Sequence, residues 1–364
     1  MNLAFFLFCL SFRLLSFSPS QLAMALESAT ENVETERSLR DLKSILISGQ
    51  QGEIRMSGWG QDRVRVLLKK TVFAETKEQA QALLQKTNLS ILETPTTVEL
   101  RIASARGENL IDRLQTRAKS QIHVDWEVKA PWNSLLDLAW QDGDIIVTDW
   151  RGVVRVRNNA GALHLDMVHS KNIDLFLGTG NAELTNSEFG GKIAIQKGNL
   201  LVQKTKATSQ VYAEVVDGEV RIERCEGNFQ IQSEASKIRV AGLKGDLSIR
   251  TNSEPVEAKG IEGSVEIQAQ GASIVTDFIK PKGLSWIESE KGQVEISLPP
   301  SFQGFLDLFS VSGDTVVQFP VNRDRQDSSM FGPEPPGNVI GTVGSKSGVE
   351  FRVTAKKYIR VIRQ

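Results

Sequence analysis

The chain has 364 residues, with 43 Lys and Arg against 44 Asp and Glu, and its formal net charge is -1. This balance argues against a nucleic-acid-binding protein, which usually carries a strongly basic face. Three His and two Cys exclude a disulfide-dense scaffold and leave almost no material for a His/Cys zinc site.

The N-terminus has the order of a secretory signal peptide. An apolar run from Leu3 to Phe12 precedes a small-residue pattern that ends at Ala25, so residues 1–25 are predicted to be cleaved. No Lys or Arg precedes the run, and Arg13 interrupts the apolar region. An uncleaved anchor is the alternative, although a span requires about 20 apolar residues. We therefore expect an exported protein, periplasmic or on the cell surface, with no membrane span after cleavage.

The first part of the mature chain is predicted to be an acidic, flexible lead-in over residues 26–41. Residues 42–120 follow as a small α/β section with several strands, one short helix and a charged segment. The helix is expected between Glu75 and Leu84, with Ala80, Leu83 and Leu84 on one side. The charged residues 103–120 form either a loop or a short exposed helix.

From residue 121 to 319 the unit Gly-x-apolar-x-apolar recurs about every nine residues. Gly161 with Leu163 and Leu165 is a clear copy. Regular short strands that keep one in/out phase predict an all-β fold, a single-chain parallel β-solenoid with rungs of about 18–20 residues. An antiparallel β-sandwich is the alternative. A Pro-rich loop over 320–338 and capping strands over 339–364 are expected to complete the chain.

Several segments occur in an order that resembles a known family: residues 45–59, 63–66, 128–131 and 337–344. The chain from 42 to 364 is similar to the bacterial "putative adhesin" family of unknown function, whose domains are repetitive β-solenoids. One departure is the final turn, which usually reads Ser-Gly, where this chain has Ala355-Lys356-Lys357. The resemblance implies no catalytic residues.

Four of the six tryptophans are concentrated near the start of the repeats: Trp126, Trp132, Trp140 and Trp150. If they are exposed, they form a ligand platform, because aromatic rings bind sugars and partner proteins. Burial where the N-terminal section joins the repeats explains the same cluster equally well.

The remaining candidates for chemistry are weak. His164 and Asp166 point outward by the repeat's phase, as half of a metal site or as solvated residues, and Cys225 near a turn is expected to be inert. Outward acids with a potential for acid/base work are scattered along the repeats: Asp174, Glu183, Glu257, Glu266 and Glu295. We therefore predict no catalytic, cofactor or metal site.

The sequence favours an exported, non-enzymatic β-solenoid that is an adhesin-like scaffold or binding module of the bacterial cell envelope. Its partner would be an envelope protein or a polysaccharide. The alternatives are a carbohydrate-binding or carbohydrate-active β-helix, and an envelope filament subunit that associates with itself end to end.

Overall fold

A computed structural model describes residues 26–38, 42–104, 121–252, 254–323, 337–345 and 348–364. The predicted signal peptide, most of the charged segment 103–120 and most of the Pro-rich loop lie outside the described residues. The fold is all-β, as predicted, and within the described ranges the one helix is α1 (Lys77–Lys86). No helix in these ranges has the length and hydropathy needed to cross a membrane.

The strands of the N-terminal part are β1 (Glu27–Ser38), β2 (Ser44–Gln51), β3 (Ile54–Trp59), β4 (Arg63–Ala74), β5 (Thr87–Glu93), β6 (Thr97–Ser104), β7 (Gln121–Pro131), β8 (Leu135–Asp142) and β9 (Ile145–Thr148). The middle strands are β10 (Val154–Ala160), β11 (Leu163–Asp166), β12 (His169–Thr179), β13 (Ala182–Thr185), β14 (Glu188–Lys197), β15 (Leu200–Gln203), β16 (Lys206–Glu226), β17 (Phe229–Lys244), β18 (Leu247–Thr251), β19 (Val256–Glu262), β20 (Val265–Ala269) and β21 (Ile274–Phe278). The last strands are β22 (Leu284–Ser289), β23 (Val294–Leu298), β24 (Gly304–Ser310), β25 (Thr315–Val317), β26 (Val321–Asn322), β27 (Asn338–Val343), β28 (Glu350–Ala355) and β29 (Ile359–Arg363).

Parallel pairing between successive rungs arranges these strands in two ladders. The first ladder runs β6-β2-β8-β10-β12-β14-β16-β17-β18-β20-β22-β28-β24. The second ladder runs β7-β3-β9-β11-β13-β15-β16-β17-β19-β21-β23-β29-β25. Strands β16 and β17 are long enough to contribute to both ladders.

The alternating pattern of the repeat explains how the interior fills. On the second ladder Leu165 lies opposite Leu184, which lies opposite Val202 one rung further. All three side chains are buried, and the residues between them in sequence face outward. Apart from register shifts in the β12–β14, β14–β16 and β19–β21 pairings, register is kept from rung to rung, so apolar side chains stack on their counterparts and form a core along the ladders.

Two kinds of turn join the strands of a rung. At one corner glycines stack directly: a Cβ on Gly198 would lie 1.9 Å from the carbonyl oxygen of Gly180, and Gly198 has a φ of 144°. At the other corner residues with side chains adopt the left-handed conformation, with φ of 53° at Met167 and 48° at Asn186. Close backbone stacking therefore requires glycine at the first corner, whereas the second tolerates larger residues.

The ladders begin earlier than the sequence predicted. Strands β2 and β3 pair in parallel with β8 and β9, so they form a rung although they precede residue 121. The reason is that this segment has the same construction as the later repeats. Ile45 and Ile47 point inward, Gly52 makes the corner with a φ of 127°, and Ile54 and Met56 point inward again.

The predicted flexible lead-in is in fact a strand over most of its length. Strand β1 pairs antiparallel with β4, which itself pairs antiparallel with β7. Its acidic residues face cations of β4: Glu34 lies 2.7 Å from Arg65, and Glu31 lies 2.5 Å from the buried Lys70. Charge complementarity across a long-range pairing therefore orders a segment whose own composition is polar.

The predicted helix is present as α1, with the predicted residues on its buried side. Its buried residues are Ala80, Leu83 and Leu84, and they pack toward β1 and β4. The hydroxyl of Thr76 accepts a hydrogen bond from the backbone N–H of Gln79 at 3.3 Å, which is the N-cap that a helix start requires.

Residues 339–364, which were expected to form a cap, divide between two positions: β27 pairs antiparallel with the outer side of β24, whereas β28 and β29 lie inside the ladders. Strand β28 lies between β22 and β24, and β29 lies between β23 and β25. The ring of Phe351 on β28 contacts Phe278 on one side at 5.0 Å and Phe302 on the other at 5.7 Å between centroids. Strands β28 and β29 therefore form an internal rung, in which Phe351 packs against rings on both sides.

Candidate functional site

Three of the four clustered tryptophans are part of the core. Trp126, Trp140 and Trp150 have exposed fractions of 2%, 3% and 0%. The rings of Trp126 and Trp140 meet edge to face at a centroid distance of 6.1 Å. These three rings lie on inward positions where the N-terminal rungs need bulk, so they do not form an exposed platform. The platform prediction is wrong for them.

Trp132 differs, since it lies in the turn after β7 and is half-buried. The guanidinium carbon of Arg151 lies 4.1 Å from the centre of its ring. This cation–π contact occupies the ring from one side. The structure thus brings Trp126 and Trp140 together but does not combine the four residues into one surface.

Two concave surfaces lie beside Trp126. The first, which we call the apolar cavity, has a volume of about 460 Å³. It is lined by Ser48, Gly49, Gln50, Gln51, Arg101, Ile102, Ile122, Val124, Trp126, Ala139, Trp140, Gln141, Arg157 and Asn159. The second, which we call the charged groove, has a volume of about 1020 Å³. Both volumes are in or close to the range of small-molecule sites.

The charged groove lies on the outer side of β7, and its charges already pair with each other. His123 Nε2 lies 3.0 Å from Asp125 Oδ1, which also accepts a hydrogen bond from the backbone N–H of Glu53 at 3.1 Å. Glu53 in turn pairs with Arg55, and its hydrogen bond raises the pKa of Arg55. The groove is therefore held together by internal pairs, and no two carboxyl groups converge there unpaired.

Outward acids further along the second ladder form a network with cations. Glu219 lies 2.7 Å from Arg221 and 3.0 Å from Arg239, which is 3.7 Å from Glu257 on the next rung. The hydrogen bond from Arg221 lowers the pKa of Glu219, with desolvation opposing it, and the hydrogen bond from Lys259 does the same for Glu257. A lowered pKa keeps a carboxylate ionised, which suits a structural ion pair rather than a general acid.

The other candidate acids are also dispersed. Glu183 lies 3.5 Å from His164, Glu266 lies 3.8 Å from Arg250, and Glu295 lies 3.5 Å from Arg360. These acids lie on different rungs and are divided between the two ladders. Asp174 lies on β12, in the first ladder. No pair of them is placed for the acid and base roles of a glycosidase.

The predicted half of a metal site has a structural role. Partial desolvation would raise the pKa of Asp166, but hydrogen bonds from Asn186 and Thr185 outweigh it and lower that pKa. The distances are 2.8 Å to Asn186 Nδ2 and 2.7 Å to Thr185 Oγ1. These hydrogen bonds connect the left-handed corner at Asn186 to Asp166 on the preceding rung. Among the described residues no group of three His, Cys, Asp or Glu has metal-binding geometry.

Cys225 follows the left-handed corner residue Arg224 and is buried. Desolvation raises the pKa of its thiol to about 11. Its Sγ lies 3.3 Å from the carbonyl oxygen of Glu223. The thiol is therefore protonated and packed, in agreement with the expected inert role.

A feature that the sequence reasoning missed lies at the C-terminal end. Most of the exposed large hydrophobic residues occur there: Ile279, Leu284, Trp286, Phe309, Val311, Val316 and Ile340. Trp286 and Phe309 are 40% and 41% exposed on outward positions of the first ladder. The alternation of β22 predicts the exposure of Trp286. This residue directly precedes the inward Ile287, so its side chain points outward.

The family model described as "Toastrack DUF4097" matches residues 38–238. The chain belongs to this family. The Toastrack match begins at the end of β1 and reaches into β17, so it includes all residues that line the apolar cavity and those of the charged groove except Asn32, Val33 and Glu34. No curated protein matches the chain.

Solved structures similar to this Toastrack chain are known from several bacteria. A "putative cell adhesion protein" from Clostridium sporogenes has 12% identity and a TM-score of 0.16, with 93% of this chain and 100% of that chain covered. A "putative adhesin" from Bacteroides fragilis has 10% identity, a TM-score of 0.23 and coverages of 91% and 97%. A "putative adhesin" from Parabacteroides distasonis has 9% identity, a TM-score of 0.28 and coverages of 91% and 97%.

Proposed function

We propose that this Toastrack protein is an exported, non-enzymatic scaffold of the bacterial cell envelope that binds envelope polysaccharide as an adhesin-like module. The signal-like N-terminus and the family support export and an adhesin-like role. Parallel stacking of short rungs supports a scaffold role, because it presents outward side chains in fixed rows. The paired state of the outward acids supports the absence of catalysis.

The observation that carries the choice of ligand is a group of exposed residues that we call the aromatic end patch: Leu284, Trp286, Phe309 and Ile340. Trp286 on β22 and Phe309 on β24 are separated by β28. Two strand spacings and an offset of two residues along the strands give a separation of about 12 Å. Two aromatic residues at this spacing on a flat sheet can stack against two non-adjacent sugar rings of a linear chain.

Polar groups between the aromatic residues supply the hydrogen bonds that sugar hydroxyls require. Arg352 on β28 lies in register between Trp286 and Asp307. Its Nε donates to Glu350 Oε1 at 2.6 Å, and this bond raises the pKa of Arg352. The patch therefore combines apolar rings with fixed donors and acceptors.

Binding to isolated envelope polysaccharide tests the proposal. The purified protein is sedimented with insoluble polysaccharide, and the bound fraction is compared with that of Trp286→Ala plus Phe309→Ala. Loss of two stacking contacts should weaken binding at least about tenfold. Tyr212→Ala, an aromatic truncation on the same ladder but far from the patch, should bind like the parent. Equal binding by the double variant and the parent would refute the proposed site.

A further inference from the structure

Trp126, which lines the apolar cavity, has an unpaired donor. Trp126 is 2% exposed, and its Nε1 has no acceptor among the described residues. The other buried indoles are satisfied: Trp140 Nε1 donates to Gly52 O at 2.8 Å, and Trp150 Nε1 donates to Ser134 O at 2.9 Å. A buried N–H without an acceptor is unusual, because folding has removed it from water without a replacement bond.

The floor of the same cavity is apolar. Ile122 and Val124 on β7 and the ring of Trp140 line it together with Trp126. These side chains are at least nine-tenths buried from solvent. The opposite wall contains Gly49, where a Cβ would lie 2.1 Å from the ring of Trp140. Because Gly49 has no side chain, β2 packs closely against the indole of Trp140, and this contact shapes the cavity.

The rim carries positive charge on both sides. Arg101, Ser48, Ala139 and Arg157 occupy the same register position on four adjacent strands. The two arginines are therefore about 14 Å apart, with only small side chains between them. Arg157 forms no ion pair with any described residue, and Arg101 has only a contact of 3.8 Å with Glu99. Two cations with little local compensation create a positive potential over the cavity mouth.

From these features we propose that the apolar cavity binds a small amphipathic carboxylate. Arg157 and Arg101 supply the neutralising charge, and a small shift of the indole allows Trp126 Nε1 to donate a hydrogen bond to an oxygen of the head group. The hydrocarbon body packs on Ile122 and Val124. A cavity of about 460 Å³ is large enough for a medium-chain acid. This site is distinct from the aromatic end patch and does not depend on the proposed polysaccharide binding.

Titration calorimetry with decanoate, with decanol as the uncharged control, tests the site on the full purified protein. Decanoate should bind saturably with a stoichiometry of one, and decanol at least about tenfold more weakly, because charge-assisted hydrogen bonds are strong. Arg157→Gln should weaken decanoate binding about tenfold. Arg155→Gln, an exposed arginine on the same strand that does not line the cavity, should leave binding unchanged.

Trp126→Phe gives a second test, because it removes the donor and keeps an aromatic ring. It should weaken decanoate binding about fivefold, with circular dichroism confirming the fold. Trp286→Ala should have no effect, which separates this site from the proposed function. The inference is overturned if decanoate shows no saturable binding, if decanol binds as tightly as decanoate, or if Arg157→Gln and Arg155→Gln behave alike.

Discussion

At the scale of single residues, the environment of Cys225 decides what its thiol can do. The side chain is buried at the end of a rung, and its sulfur contacts backbone carbonyl oxygens rather than a base. Desolvation raises its pKa from the ordinary value of 9.0 to about 11. Since the thiolate is the reactive form, this lowers the reactive fraction about a hundredfold near neutral pH.

The native protein should therefore react with a thiol reagent at least about a hundred times more slowly than the unfolded protein at the same pH. Absorbance of the released aromatic thiol measures both rates. Cys225→Ala serves as the control, because it identifies which part of the signal comes from this residue. A native rate close to the unfolded rate would contradict the buried position.

At the scale of elements, the stacked corners determine which substitutions a rung tolerates. Gly198 packs its backbone directly on that of Gly180 and has a φ of 144°. Gly283 has a φ of 61° in the turn before β22, with no atom within 4 Å of an added Cβ. The two positions share a positive φ but differ in the space available.

Gly198→Ala should lower the free energy of unfolding by more than about 3 kcal/mol, because the new methyl group collides with backbone that has no room to move. Gly283→Ala should lower it by only about 1 kcal/mol, the cost of a left-handed residue with a side chain. Urea denaturation followed by circular dichroism measures both. Similar losses in the two variants would show that the backbone does not stack at Gly180.

The elements also show which features the sequence could predict. Strand alternation, the rung length and the buried side of α1 follow from local periodicity, and the structure has them. Strand β1 could not be predicted from local periodicity, because its order depends on cations of β4 that are distant in sequence. The left-handed residues Met167 and Lys204 gave no signal either, because neither type is typical of that conformation. The burial of Trp126 and Trp140 required knowledge of the rung stacking.

At the scale of the whole molecule, the main difference from expectation is the internal position of the C-terminal rung. Phe351 joins the ring of Phe278 to that of Phe302, and β28 shares hydrogen bonds with strands on both sides. Removal of this side chain should therefore affect the cooperative unit rather than fray an end.

Phe351→Ala should lower the free energy of unfolding by about 3–5 kcal/mol, the usual cost of truncating a buried Phe. In the parent protein, amide hydrogens of β28 should exchange as slowly as those of β22, because both strands have a neighbour on each side. Hydrogen exchange with mass spectrometry measures this. Faster exchange in β28 than in β24 would contradict the inserted order and favour an outer cap.

The proposal that the molecule works in the cell envelope depends on export, so the most direct test is the location and N-terminus of the protein in the producing cell. Cell fractionation with mass spectrometry of the intact protein gives both. We predict a protein outside the cytoplasm that begins at Leu26, directly after the predicted cleavage point. A cytoplasmic protein that retains Met1 would contradict export and remove the basis for an adhesin-like role.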